Sequence, residues 1–219
     1  MTVPIVSIVG SSSNSGKTTL IERLIPELKK RGYRVATIKS AQEIDFEPGK
    51  DSSRHLQAGS ELTAVATSKQ IVLMTSHRQL ITMDKVVSLM GHEFDIILCE
   101  GFKHADVPKI EVHFKPNEPL LEGITKIMAI VTNETLNTKM RRFSFDDIEG
   151  IADLLEKGFI KPEASRLDLY INDIHVPLKR FPRQLISQTV LGAVSSLKEI
   201  GAIRSLKILF RRESKEREK

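Results

Sequence analysis

Tryptophan is absent, cysteine occurs once, and aromatic residues make up only 5% of the 219 residues. The single thiol, Cys99, lies in the apolar run FDIILCEGF and rules out a disulfide within the chain. A lone cysteine in a strand reads as a small buried hydrophobe rather than a reactive group. Scarce aromatics leave few surfaces on which unpaired bases would stack, so the net charge of +5 is weak ground for a nucleic-acid partner. The basic tail RRESKEREK mixes three glutamates among its cations and reads as a solvated terminus. No apolar run approaches the roughly 20 residues that cross a bilayer, and the chain opens on TVPIVSIVG without a basic region and cleavage site. No membrane association and a cytoplasmic location are therefore expected.

What is present is ordinary for a folded protein: 40% hydrophobic and 28% charged residues, enough for one α/β domain and a small appendage. Val3 to Val9 is almost continuously apolar and β-branched, as a strand buried on both faces of a parallel sheet should be. Leu20, Ile21, Leu24, Ile25 and Leu28 then recur at helical spacing up to Gly32, with Pro26 expected to bend the helix. YRVATIK completes a strand-helix-strand unit, and the polar stretch from Ser40 to Asp51 is too long for a routine connection. SSRHLQAG reads as a short helix, LTAVATS and IVLMTS as strands, and TMDKVVSLMG as a helix closed by Gly91. Strands follow at DIILCEGF, KIEVHF and KIMAIVTN, then a helix in FDDIEGIADLLEKG with Asp146 as its N-cap.

This alternation predicts an α/β, P-loop NTPase-like fold, a mostly parallel sheet with helices on both faces. Near Gly158 the composition changes to the linker-like GFIKPEASR. Beyond it, LDLYI and HVPL flank a hairpin signal at Asn172-Asp173, QLISQTVLGAVSSLKEIG reads as a helix and SLKILF as a last strand. The expected organisation is a nucleotide-binding domain over 1–160 and a small β-β-α-β module with a charged tail over 161–219.

The chemistry concentrates in IVGSSSNSGKTTLIERL. In a phosphate-binding loop, glycines admit backbone amides to the phosphates, a lysine neutralises their oxygens and the next hydroxyl holds magnesium. Gly16, Lys17 and Thr18 fill these roles, Thr19 adds a contact from the first helical turn, and Ser12, Ser13, Asn14 and Ser15 supply amides and hydroxyls. The alternative, a chance serine-rich turn with a helix cap, does not account for the strand before the motif and the helix after it. One feature is out of step: counting back from Gly16-Lys17-Thr18, the leading position falls on Ser11 and the glycine stands at Gly10. A loop one residue longer explains this.

A magnesium-phosphate site also needs an acid at the carboxyl end of a second parallel strand, and Glu100 after DIILC is the candidate. Asp95 starts the same strand and belongs at the opposite edge. Gly101 lets the following loop approach a γ-phosphate. In GFKHADVPK, Lys103, His104 and Lys109 are cations that suit an anionic ligand, although surface lysines are usually only solvated. Asp45, Asp51 and Arg54 stand in or beside the long polar loop as candidates to respond to nucleotide state. The histidines show no metal-ligand spacing. The Asn-Lys-x-Asp or Thr-Lys-x-Asp element that fixes guanine in many GTPases is missing; the chain has TNET at Thr132 to Thr135, so residue chemistry leaves GTP and ATP open. A small-molecule kinase using the same loop is the main alternative reading, and it requires an acceptor pocket with its own base. A metal-insertion GTPase is another, and it requires cysteine or histidine clusters.

With these residues in place, the chain resembles the molybdopterin-guanine dinucleotide biosynthesis protein B (MobB) family. The similarity covers NSGKTTLIERLIPELKKRGYRVATIK, PGKDSSRHLQAG and DIILCEGFKHADVPKIEVHF, and more loosely FSFDDIEGIADLL. EGFKH followed by PKIEV is its most specific part. The resemblance implies a homodimeric adaptor that binds GTP with Mg2+ and hydrolyses it feebly. It also implies a partner, the MobA-like molybdenum cofactor guanylyltransferase that joins GMP to molybdopterin, with molybdopterin or its guanine dinucleotide as a further ligand. Carried over by position, Gly10, Ser11 and the residues through Thr19 form the phosphate loop. Glu100 with Gly101 forms the magnesium side, and the segment from Asp51 to Arg54 borders the nucleotide. After Lys39 the family shows histidines where this chain reads KSAQEIDF, which gives weaker hydrolysis or passes that role to Asp45. The C-terminal module resembles an extension on some longer members.

Overall fold

A computed structural model of the chain describes residues 3–12, 14–41, 50–75, 82–91, 93–113, 119–160, 167, 169–172 and 174–198, with 203, 206, 208 and 210. The chain divides into two compact units, 2–164 and 165–219, the first residue grouping with the second. The elements of the larger unit run β1 (Ile5–Val9), α1 (Lys17–Lys30), β2 (Val35–Lys39), α2 (Lys50–Gln57), β3 (Thr63–Ala66), β4 (Ile71–Met74), α3 (Met83–Met90), β5 (Ile96–Glu100), β6 (Lys109–Val112), β7 (Ile127–Val131), β8 (Arg142–Phe143) and α4 (Ile148–Leu155). The smaller unit contains β9 (Leu169–Ile171), β10 (Ile174–Val176) and α5 (Arg180–Ser195).

Six strands form one sheet in the order β2-β5-β1-β6-β7-β8, every neighbouring pair parallel. The apolar strands follow from coverage on both faces. Val6, Ile8, Ile96 and Leu98 point into a core shared with Leu20, Leu24 and Leu28 of α1 and with Ile151 and Leu155 of α4. Their alternates Ile97 and Cys99 join Ala36, Ile38 and Val87 of α3 on the other face. This is the predicted α/β architecture, with β1 at the centre of the sheet. Cys99 is fully buried, its Sγ 3.9 Å from Met83 Sδ, and burial pushes its pKa up to about 12, which fits the inert reading. Among the described residues no helix is long and apolar enough to cross a membrane.

Several local expectations shift. Pro26 does not end α1, which continues past it to Lys30. Asp147, not Asp146, caps α4, its carboxylate accepting from Gly150 N at 3.0 Å. Asp146 instead pairs with Arg23 of α1 at 3.1 Å. Gly158 is not yet in a linker: Glu156–Ile160 forms a π-helical turn that buries Ile160. The β9–β10 pair is the antiparallel hairpin expected around Asn172. The strand expected at SLKILF lies largely outside the described residues.

Two charged devices hold the larger unit together. Arg31, at the end of α1, donates to Glu27 (2.8 Å), Asp153 (2.7 Å) and Glu156 (2.7 Å), and Tyr33 OH adds a bond to Glu156 at 2.8 Å. Lys157 and Arg31 together hold the Asp153 carboxyl down at about 2. Lys109 is the other device. Its side chain is fully buried, and Nζ donates to the carbonyls of Ala105 (2.6 Å), Val107 (2.9 Å) and Thr125 (3.1 Å). Burial lowers its pKa. This corrects the expectation that Lys109 faces an anionic ligand: its donors are spent on the turn and loop that precede β6 and β7.

Candidate functional site

The site lies where β1 ends and α1 begins. Because the sheet is parallel, the carboxyl ends of its strands open on one edge, where open α/β folds bind their ligands. Gly10 closes the loop tightly: a Cβ there would overlap Ser15 Oγ, lie 2.9 Å from Ser15 Cβ and 3.0 Å from the Val112 carbonyl at the end of β6. The glycine is therefore required where it stands. Gly16 adopts φ 86°, a left-handed conformation that favours glycine, with the Phe145 ring 3.2 Å from where a Cβ would be. It also starts α1, whose first turn carries no side-chain cap.

Lys17 folds back into the loop, donating to Ser12 O at 2.5 Å and Ser15 Oγ at 3.0 Å. Ser12 Oγ is buried with no hydrogen-bond partner among the described residues. A confined ammonium and an unused buried hydroxyl beside a bare helix N-terminus suit phosphate oxygens. Thr18 Oγ1 donates to Glu100 Oε2 at 2.9 Å, across the gap between α1 and the end of β5. Lys39, ending edge strand β2, approaches the other carboxylate oxygen at 3.6 Å. Gly101 N donates to Ile8 O at 3.0 Å, which presses the turn after Glu100 against β1. Lys103 Nζ reaches back from that turn to Ser11 O at 3.3 Å. Residues 82 and 92 positions apart in sequence are thus drawn onto one rim.

Other candidates make contacts of their own. Asp51 and Arg54 pair with each other at 3.5 Å on the exposed side of α2. His104 is exposed. Asp95, at the start of β5, accepts from Arg34 N at 2.7 Å, the structural role expected at the far edge. Asp45 and Ser13 lie outside the described residues. Two participants escaped the sequence reading. Lys39 was legible only as the end of a strand, and Phe145 only as an apolar residue before a helix. Glu111, also unremarked, is buried beside Val9 on β6; burial raises its pKa, and its carboxylate accepts from Leu121 N at 2.7 Å. Among the described residues no group of three or more histidine, cysteine, aspartate or glutamate side chains comes together.

A glycine-serine loop that closes over a lysine at a helix start, with an acid on the neighbouring strand, defines the class of P-loop nucleotide-binding folds. The family described as molybdopterin guanine dinucleotide synthesis protein B matches residues 5–133, and the chain belongs to that family. It is 36% identical to the molybdopterin-guanine dinucleotide biosynthesis adapter protein of Haemophilus influenzae over 159 residues, 70% of this chain and 88% of the relative. It is 33% identical to the protein of the same name from Escherichia coli over 153 residues, 65% of this chain and 86% of the relative. The crystal structure of Bacillus subtilis MobB superposes with a TM-score of 0.55 at 30% identity, covering 73% of this chain and 99% of that one.

Proposed function

We propose that this protein is a GTP- and Mg2+-dependent adapter in molybdenum cofactor maturation. In its nucleotide-bound state it docks on the guanylyltransferase that joins GMP to molybdopterin, with molybdopterin or its guanine dinucleotide as a further ligand. The names of the relatives support the pathway. The observation that carries the nucleotide chemistry is the Thr18–Glu100 hydrogen bond at 2.9 Å beside the loop. A hydroxyl and a carboxylate together offer the hard oxygen donors that Mg2+ accepts, with phosphates completing its shell. When bound, the cation neutralises phosphate charge. Lys17 and the loop amides bind and orient the triphosphate, and Lys103 holds the turn after Glu100 against the loop. Glu100 is constrained at both oxygens, by Thr18 and Lys39, so it positions groups and is not an unencumbered base; slow hydrolysis follows.

Titration of the purified chain with labelled GTP, ATP and GDP in Mg2+ tests this reading. Selective GTP binding with turnover well below about one per second, at the floor of ordinary enzyme rates, is expected. A preference for ATP with rapid phosphate transfer would replace the adapter by a kinase. Glu100→Gln should keep GTP affinity within a few fold while hydrolysis drops at least about tenfold, and normal turnover in that variant would remove Glu100 from the chemistry.

A homodimer is part of the proposal, and the β3–β4 hairpin supports it. The two strands pair only with each other among the described residues, and isolated two-stranded hairpins are marginal in water. Leu62, Val65, Ile71, Val72 and Leu73 are nevertheless exposed, Ile71 by 71%. A charge there, as in Ile71→Lys, should convert a dimer to monomer in sedimentation velocity at micromolar concentration. An unchanged sedimentation coefficient would place the interface elsewhere.

A further inference from the structure

β2 is an edge strand of the sheet, and its last residue, Lys39, is the register partner of Glu100 on β5. The Lys39 ammonium lies 3.6 Å from Glu100 Oε1, while Thr18 Oγ1 donates to Oε2 at 2.9 Å. We infer that Lys39 is a built-in competitor for the magnesium-side acid: it neutralises Glu100 when no metal is bound, opposes the entry of Mg2+, and so sets how much Mg2+ the nucleotide site demands. The inference deepens the nucleotide reading above, as a regulation of the same site, and rests on it.

Three observations place the ammonium in that role. The first is orientation. Ala36 and Ile38 alternate with Lys39 and enter the core that holds Ile97 and Cys99, so Lys39 and Glu100 share the opposite face, the one that carries α1. The second is closeness. Ser40 N donates to Glu100 O at 3.0 Å, and a Cβ on Gly101 would lie only 3.1 Å from Ser40 Cβ, so the glycine admits the end of β2 against the acid. The third is a difference in exposure, 65% for the Lys39 side chain against 15% for that of Glu100. The acid is the fixed member of the pair, and the lysine is the one able to swing into water when a stronger cation arrives.

A lysine on an edge strand ordinarily guards against pairing with another chain. This one faces the acid that, with Thr18, offers Mg2+ its hard oxygen donors. Two cations then compete for one carboxylate: Mg2+ brings twice the charge, whereas Lys39 is tethered and always present. A unit charge a few ångströms from a divalent cation at a solvated rim changes its affinity by about three- to tenfold, and salt screens the effect. Phosphate oxygens that complete the Mg2+ shell tip the contest toward the metal. The site therefore takes Mg2+ together with nucleotide and resists it alone.

The test is a Mg2+ titration of the full chain saturated with a fluorescent GTP analogue, read as the free Mg2+ concentration at half-maximal signal change. Lys39→Met removes the charge and keeps the stem, and it should lower that midpoint about three- to tenfold at low salt, with a smaller difference at about 0.5 M KCl. Lys39→Arg keeps the charge and should stay within about twofold of wild type. In a Glu100→Gln background, Lys39→Met should shift the midpoint by less than about twofold, because the contested carboxylate is gone. Affinity for the analogue in EDTA should not fall in Lys39→Met, since the lysine engages the acid and not a phosphate. A midpoint that stays or rises in Lys39→Met, a shift undiminished by Glu100→Gln, or a lost affinity in EDTA overturns this inference alone. A wild type that binds the analogue with no response to Mg2+ overturns the Mg2+ reading itself.

Discussion

Lys17→Ala is expected to weaken nucleotide binding by at least about a hundredfold, because it deletes the one cation folded inside the loop. Hydrogen bonds to charged groups contribute about 1.5–3 kcal/mol each, and two contacts to phosphate oxygens at about 1.4 kcal/mol per tenfold already reach that figure. The fold should survive. The Lys17 bonds to Ser12 O and Ser15 Oγ stay within its own loop, outside the two apolar cores. Isothermal titration with GTP and Mg2+, beside a thermal melt of the same sample, separates the two effects. Affinity within twofold of wild type would refute the loop assignment.

Lys109→Met should do the opposite, sparing the ligand and damaging the fold. Three carbonyls lose their charged donor in a site with no exposed surface on the lysine, and methionine fills the space without replacing a single bond. A buried acceptor left unsatisfied costs about 1–3 kcal/mol, and these part-buried carbonyls cost less because water reaches them in part, with a further offset because an ammonium no longer has to be desolvated. A net loss of about 2–4 kcal/mol is expected, read as a lower urea midpoint with an unchanged slope. The reverse pattern, an unaltered midpoint with lost GTP affinity, would return Lys109 to the ligand.

These two lysines show where sequence is informative and where it stops. Lys17 was legible because its neighbours constrain it: an apolar strand before, a periodic helix after, and a glycine at a position that needs φ 86°. Glu100 was legible for the same reason, standing at the end of a strand too apolar to be anything but central. The two cores were foreshadowed by alternation, since Ile96 and Ile97 must face opposite ways once a strand is assigned. Lys109 had no such local frame. Its partners lie in the preceding turn and in Thr125, and nothing in GFKHADVPK tells a buried cation from a solvated one. Asp146 and Asp147 are both good caps, and one residue of helix phase decided between them. The role of Phe145 depends on a contact with Gly16 more than a hundred residues away, so only folding reveals it.

Gly10 sets a limit on how such loops should be recognised. The backbone there lies against both the Ser15 side chain and the Val112 carbonyl at the end of β6, so the residue marks a point of close approach and not the first place in a count. How many residues separate that point from the lysine is free to vary, provided the chain returns to it. A search that slides a fixed ruler back from Gly16-Lys17-Thr18 meets Ser11 and stops. One that asks where a side chain has no room arrives at Gly10.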